Sequence, residues 1–254
     1  MIERLVWDRF RQDWKLFGRM GLWTFLSGLP VLVPVAMFVA AWFMGGSISS
    51  SMESGPMQSD ELAAGAMMRT GVVIALVFMA GFLAIIGLVQ AGLMAQVVAF
   101  RRGQQAGFTS FWGGVRRHWV PMLLPAVFWA GLGLWGGGSL LADPVRKIGT
   151  ELLVAFLALH LGIYPAYLIV ADDMGGMSAM GRGLRILVAQ PREALAGVLA
   201  LWLMQMAVGL LGELVGLAAP FLLLPWAIFL LFYVPLVPYY FAERFEQRLR
   251  PVVN

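Results

Sequence analysis

Residues 71–100 run without a single Asp, Glu, Lys, Arg or His. At 1.5 Å per residue a helix over this stretch is roughly 45 Å long, against about 30 Å for the hydrocarbon core of a bilayer. Such a helix crosses the membrane and must tilt, bend or project from it. Within it Gly87, Ala91 and Ala95 recur every four residues, a small-residue stripe that predicts close packing on another helix.

The rest of the chain has the same character. Of 254 residues, 60% are hydrophobic and only 13% charged, where soluble domains carry about a quarter charged residues. The reading is a single all-α integral membrane protein, 1–254, with six transmembrane helices near 21–45, 71–100, 119–141, 152–171, 194–216 and 221–241, and a tail at 242–254. Pro30 and Pro34 are expected to kink the first span, and Pro191 to start the fifth, where proline is tolerated. Gly209, Gly212 and Gly216 offer the fifth span a second small-residue face. The loop at 46–61, rich in Ser, Gly and acids, is expected to be flexible. No secretory signal peptide is evident, because the first 17 residues are amphipathic and of mixed charge.

Three polar stretches interrupt the apolar runs. Residues 2–17 set Val6, Phe10, Trp14 and Phe17 on one helical face and Arg4, Asp8, Arg11 and Lys15 on another. In the second, Phe108, Phe111, Trp112, Val115 and Trp119 share a face that excludes Arg116 and Arg117. In the third, 172–193, Met177, Met180, Leu184, Leu187 and Val188 oppose Ser178, Arg182 and Arg185. Each predicts a helix lying in the membrane surface with its apolar side toward lipid and its cations at the phosphates. The architecture is thus three hairpins, each preceded by a cytoplasmic interfacial amphipathic helix. A shift of 68 residues aligns Gly107, Ser110, Gly113 and Arg117 with Gly175, Ser178, Gly181 and Arg185, in keeping with an internal repeat.

The N-terminal segment, residues 101–118, residues 172–193 and the tail hold every cation except Arg69, Arg146 and Lys147. By the positive-inside rule both termini are expected in the cytoplasm, with the chain in a prokaryotic inner membrane. Arg116, Arg117, Arg182 and Arg185 are the candidate contacts to anionic lipid headgroups or to a partner. A protein partner or a homo-oligomer is compatible with this surface, while no aromatic-basic nucleic-acid module is present.

Polar groups deep in the bundle are few. His160 and Gln205 fall near the midplane of spans four and five, and Gln90 in span two. They form a candidate midplane site, to be weighed against a structural histidine hydrogen-bonded to Gln205 or Gln90. Glu213 is the only acid inside a predicted span and lies close enough to its outer end to reach water. Asp172 and Asp173 are expected to cap the third interfacial helix. There is no phosphate loop, HExxH or GxSxG motif, no cysteine, and only two histidines, so no catalytic, cofactor-binding or metal-binding residue is assigned.

The stretch from Asp173 through Met174, Gly175, Gly176 and Ala179 to Arg182 and Arg185 resembles an acidic, glycine, then Ala-x-x-Arg pattern. That pattern marks a diffuse family of six-span prokaryotic membrane proteins, including the membrane domain fused to some glycerophosphoryl diester phosphodiesterases. Gly183 and Leu184 stand where that family often has Ser and Trp. The resemblance implies a membrane domain without established catalysis, since the phosphodiesterase chemistry belongs to a separate soluble domain. The expected role is a non-enzymatic, membrane-embedded scaffold or partner subunit in contact with anionic lipid. The alternative is a small transporter or permease-like subunit with its site near His160 and Gln205; a lipid-modifying enzyme is the least favoured class.

Overall fold

The computed structural model describes residues 2–49, 60–135, 144–218 and 223–253, with side chains described at 2–27, 80–128, 148–213 and 224–251. The described backbone is helical outside three short turns. Its elements are α1 (Ile2–Ser49), α2 (Asp60–Arg101), α3 (Phe108–Trp135), α4 (Pro144–Leu157), a π-helical segment (Ala158–Ile163), α5 (Tyr164–Asp172), α6 (Gly176–Ala189), α7 (Pro191–Ala218), α8 (Leu223–Arg244), a second π segment (Phe245–Leu249) and α9 (Arg250–Val253).

Among the described residues four stretches are long and apolar enough to cross a membrane: Ala80–Arg101, Ile148–Asp172, Pro191–Glu213 and Leu224–Leu249. The chain is an all-helical, multi-pass membrane protein. The expected spans at 21–45 and 119–141 fall on α1 and α3, whose side chains beyond 27 and 128 lie outside the described residues, as does most of the 46–61 loop. Helix α1 is continuous through Pro30 and Pro34, and its non-helical backbone is at Asp13 (φ −116°, ψ 23°).

Small residues set the helix spacing. A Cβ on Gly114 of α3 would stand 2.2 Å from that of Ala95, and Gly87 meets Leu123. The stripe on α2 is therefore where α3 crosses it. Gly92 makes room for the ring of Phe111 in the same way. On the other side of the core, Gly21 of α1 lies directly against the Leu231 carbonyl of α8. Phe17, Phe100 and Tyr239 meet edge to face at 5.3–5.4 Å and tie α1, α2 and α8 together. The α7 glycines behave differently. Gly212 touches Trp226, but Gly209 faces open space, so the small-residue face expected there is not a helix contact at Gly209.

Both π segments end two residues before a proline, at Tyr164-Pro165 and Arg250-Pro251. Proline has no N–H for the carbonyl four residues earlier, and its ring crowds that carbonyl. Widening the preceding turn relieves both problems: the N–H of Tyr164 goes to Leu159 O and that of Arg250 to Phe245 O, each a five-residue step.

The three amphipathic stretches are not equivalent. The first opens α1 and is kinked within itself at Asp13, and the second runs on into α3; only the third, α6, is bounded by a turn at each end. It is cut off at one end by Asp173, in the left-handed region at φ 55°, and at the other by Gln190 before Pro191. The second and third stretches share one feature of their helix starts. Gly107 and Gly175 each immediately precede a helix, and each carbonyl takes the N–H four residues on, from Phe111 and Ala179.

Candidate functional site

The cation-bearing segments meet at one end of the bundle, where they are paired with acids. Arg101 closes α2 and donates to Glu243 (3.0 Å) and to the Tyr167 hydroxyl (3.1 Å), which donates in turn to Glu246 (2.6 Å). Arg250 donates to Asp172 (2.7 Å) and forms an ion pair with Glu246. Glu193, in the first turn of α7, accepts from Arg244 (2.7 Å) and from Arg248 at both oxygens (2.9 and 3.0 Å). Helix ends favour Glu193, at the N-terminus of α7, and Arg101 and Arg244, at the C-termini of α2 and α8, whereas Asp172, in the last turn of α5, is held by Arg250. The tail is thus a clasp across α2, α5 and α7, a role not assigned from sequence; the one local signal was Glu246 four residues before Arg250.

Asp172 and Asp173 do not cap α6, whose N-cap is Gly175 with no side-chain bond. Asp172 is taken by Arg250, and Asp173, at the end of α5, pairs with Arg117. The turn at 173–175 holds both acids away from the first N–H groups of α6. Arg117 holds the Asp173 carboxyl below the usual range. Beside it His118 is buried, with Nδ1 3.6 Å from Asp173.

Burial lowers the His118 pKa from an ordinary value of 6.5, against the pull of Asp173. The folded state therefore favours neutral imidazole. That contribution is complete above pH 6.5 and is lost as pH falls below it, where the unfolded chain binds a proton the folded chain resists. Thermal unfolding in detergent should show the melting temperature falling from pH 7.5 to 5.5, by less in His118→Gln. Equal slopes in the two proteins would remove His118 from this contact.

Of the four candidate contact arginines, Arg116 and Arg185 are exposed, Arg117 is engaged with Asp173, and Arg182 is partly covered and has interactions of its own. Helix α6 seats Ala179, Gly183 and Ile186 on the bundle. Its opposite side exposes Met177 and Val188, at 76% and 88%, together with Leu184.

The expected midplane trio is divided. His160, fully buried in the first π segment, packs its ring against Phe156 and Tyr164. Its Nδ1 lies 3.3 Å from the carbonyl of Gly183, so its partner is α6 and not a glutamine. The close approach depends on the missing side chain at Gly183, where a Cβ would be 2.1 Å from His160 O.

Gln90 and Gln205 instead line a cavity of about 990 Å³ bounded by α1, α2, α4, α7 and α8. Its walls are mostly aliphatic and aromatic, with Glu151, Trp202 and Glu213 among the few polar residues. The Trp202 indole donates to Glu151 at 3.0 Å. Gln90 is 5% exposed, and neither its amide oxygen nor its nitrogen has a partner among the described residues.

Fold and site define a multi-pass helical membrane protein with an ion-paired end and an intramembrane cavity. No family model, curated protein or solved structure matches the chain.

Proposed function

We propose that this is a non-enzymatic, six-span protein of a prokaryotic inner membrane, acting as a scaffold or partner subunit whose cytoplasmic face rests on anionic lipid. One observation carries the reading: α6 docks on the bundle through one stripe and exposes Met177, Leu184 and Val188 on another, with Arg185 roughly 100° around the helix. A helix so placed lies at the headgroup boundary, apolar residues down and the cation at the phosphates. The exposed Trp7, Trp14, Trp112 and Trp119 suit the same interface. In this orientation the paired end is cytoplasmic, both termini are inside, and the expected spans on α1 and α3 complete six. The resemblance to the membrane domain of the phosphodiesterases points the same way, toward a membrane module without chemistry of its own.

An exposed cation near an anionic surface contributes about 1 kcal/mol. Arg116→Gln combined with Arg185→Gln should therefore weaken retention of phosphatidylglycerol by roughly thirtyfold, about 2 kcal/mol. Arg117→Gln and Arg182→Gln should do less. Lipid retained through detergent purification and counted by mass spectrometry is the measurement, and unchanged retention in the double variant would refute the lipid-facing role.

The cavity supports a second reading, a small transporter whose site is at Gln90 and Gln205 and excludes His160. Because the chain has no cysteine, single cysteines at 90, 205 and 160 can be probed with a water-soluble maleimide. Labelling at 90 and 205 with protection at 160 would favour transport over the scaffold.

A further inference from the structure

The wall of the large cavity carries charge of one sign. Among the described residues its ionisable side chains are the acids Glu151 and Glu213 and the phenol Tyr233, with no Lys, Arg or His. Glu151 is half-buried in the span Ile148–Asp172, and on this wall it accepts from the Trp202 indole at 3.0 Å. An indole N–H supplies a hydrogen bond but no counter-charge. A carboxylate on an apolar wall is costly to ionise unless a positive charge stands beside it. A cation is what this wall lacks.

The remaining polar groups suit the same partner. Thr24 donates to Met20 O, and the amide atoms of Gln90 are enclosed and present no surface to the cavity. That leaves Gln205 and Tyr233 beside the two acids, and all four offer an oxygen that can accept. Gln205 follows Trp202 by three residues on α7, so its amide shares a face with the Trp202–Glu151 pair. Rings of Phe25, Phe82, Trp202 and Tyr233 also line the space, and aromatic faces attract a cation most strongly where water is excluded.

We propose that this cavity binds a lipophilic organic cation, a protonated amine on a long apolar chain, with its ammonium held at Glu151 beside Trp202 and Gln205. An ammonium has three donors and no acceptor, the complement of those oxygens. The volume, about 990 Å³, is at the top of the range of about 300–1,000 Å³ for small-ligand sites, and the aliphatic part of the wall takes the chain. Leu210, Leu224 and Ile228 on the lining are also exposed, so an amphiphile can enter sideways from the bilayer. Glu213, itself exposed, adds to the attraction. Charge sets the ranking of heads: a fatty carboxylate is repelled, and a neutral alcohol gains hydrogen bonds without charge pairing. The site stands whether the chain scaffolds or transports.

The test uses the full chain in phosphatidylcholine nanodiscs with a photoreactive hexadecylamine carrying a diazirine on its chain, followed by peptide mapping. Crosslinks are expected on peptides spanning 82–93 and 201–213. Excess hexadecylamine should suppress them, and hexadecanol or hexadecanoate should be at least tenfold weaker competitors. Glu151→Gln keeps an oxygen for the Trp202 indole and removes the charge, so it should weaken hexadecylamine about tenfold. Gln205→Lys places a resident ammonium on the same face and should abolish the crosslinks, which tests the site even if Glu151→Gln fails to fold. Equal competition by all three heads, unchanged binding in both variants, or crosslinks spread over the lipid-facing surface would each overturn the proposal.

Discussion

Alanine at Gly183 is expected to cost more than 3 kcal/mol of stability and most of the folded yield. The added methyl would sit 2.1 Å from the backbone carbonyl of His160 and 3.2 Å from the Pro165 ring. Overpacking against side chains costs about 1–3 kcal/mol because they can move. Here the obstacle is main chain inside a π segment already widened to accommodate Pro165. Alanine at Gly21, 1.7 Å from Leu231 O, should be at least as damaging, whereas Gly181→Ala, in open space, should be neutral or slightly stabilising. Size-exclusion profiles after a temperature series in detergent would rank the three. A Gly183→Ala protein as stable as its parent would mean that α6 is not seated on His160.

The second large effect is expected at Glu193. Truncation to alanine removes the partner of Arg244, whose side chain is 5% exposed, and strands a guanidinium inside the bundle. Removing one member of a buried pair costs about 3–5 kcal/mol; with Glu193 itself 31% exposed, about 3 kcal/mol is the expected loss. Arg248→Ala, taken from a more exposed position on the same carboxylate, should cost about 0–1 kcal/mol. A hydrophobic replacement of Arg244 in the Glu193→Ala background should recover part of the loss, because it is the unpaired charge, and not the missing bond, that is costly. Thermal unfolding of the two single variants and the combination measures this directly. If Glu193→Ala and Arg248→Ala were equally mild, the clasp would not hold the helix ends.

What could be read from residue order was what depends on short windows. The membrane character, the run at 71–100 and the convergence of the cations follow from local hydropathy and charge. The Gly87–Ala91–Ala95 stripe follows from a four-residue period. The candidate site was less legible, because its geometry depends on helices far apart in sequence. His160, Gln90 and Gln205 are close in predicted depth, yet depth says nothing about which way around a helix a side chain points. Asp172 and Asp173 looked like caps because the turn that separates them from α6 is not encoded by composition. The tail arginines have no local partner that could be read, because their acids, Glu193 and Asp172, lie dozens of residues upstream. The π segments had a signal that passed unused, a proline just beyond each.

Those widened turns also set an angle. One extra residue inside a helix advances everything beyond it by about 100°, so Ala158–Ile163 acts as a fixed rotation between the two halves of its span. On one side of the rotation Glu151 faces Trp202 and the cavity; on the other Tyr167 faces Arg101 and the clasp. A straight helix carrying the same residues could satisfy one of these contacts but not both. Removing a single residue there is thus a different kind of lesion from any substitution, since it leaves every other side chain present and turns half of them to the wrong neighbours.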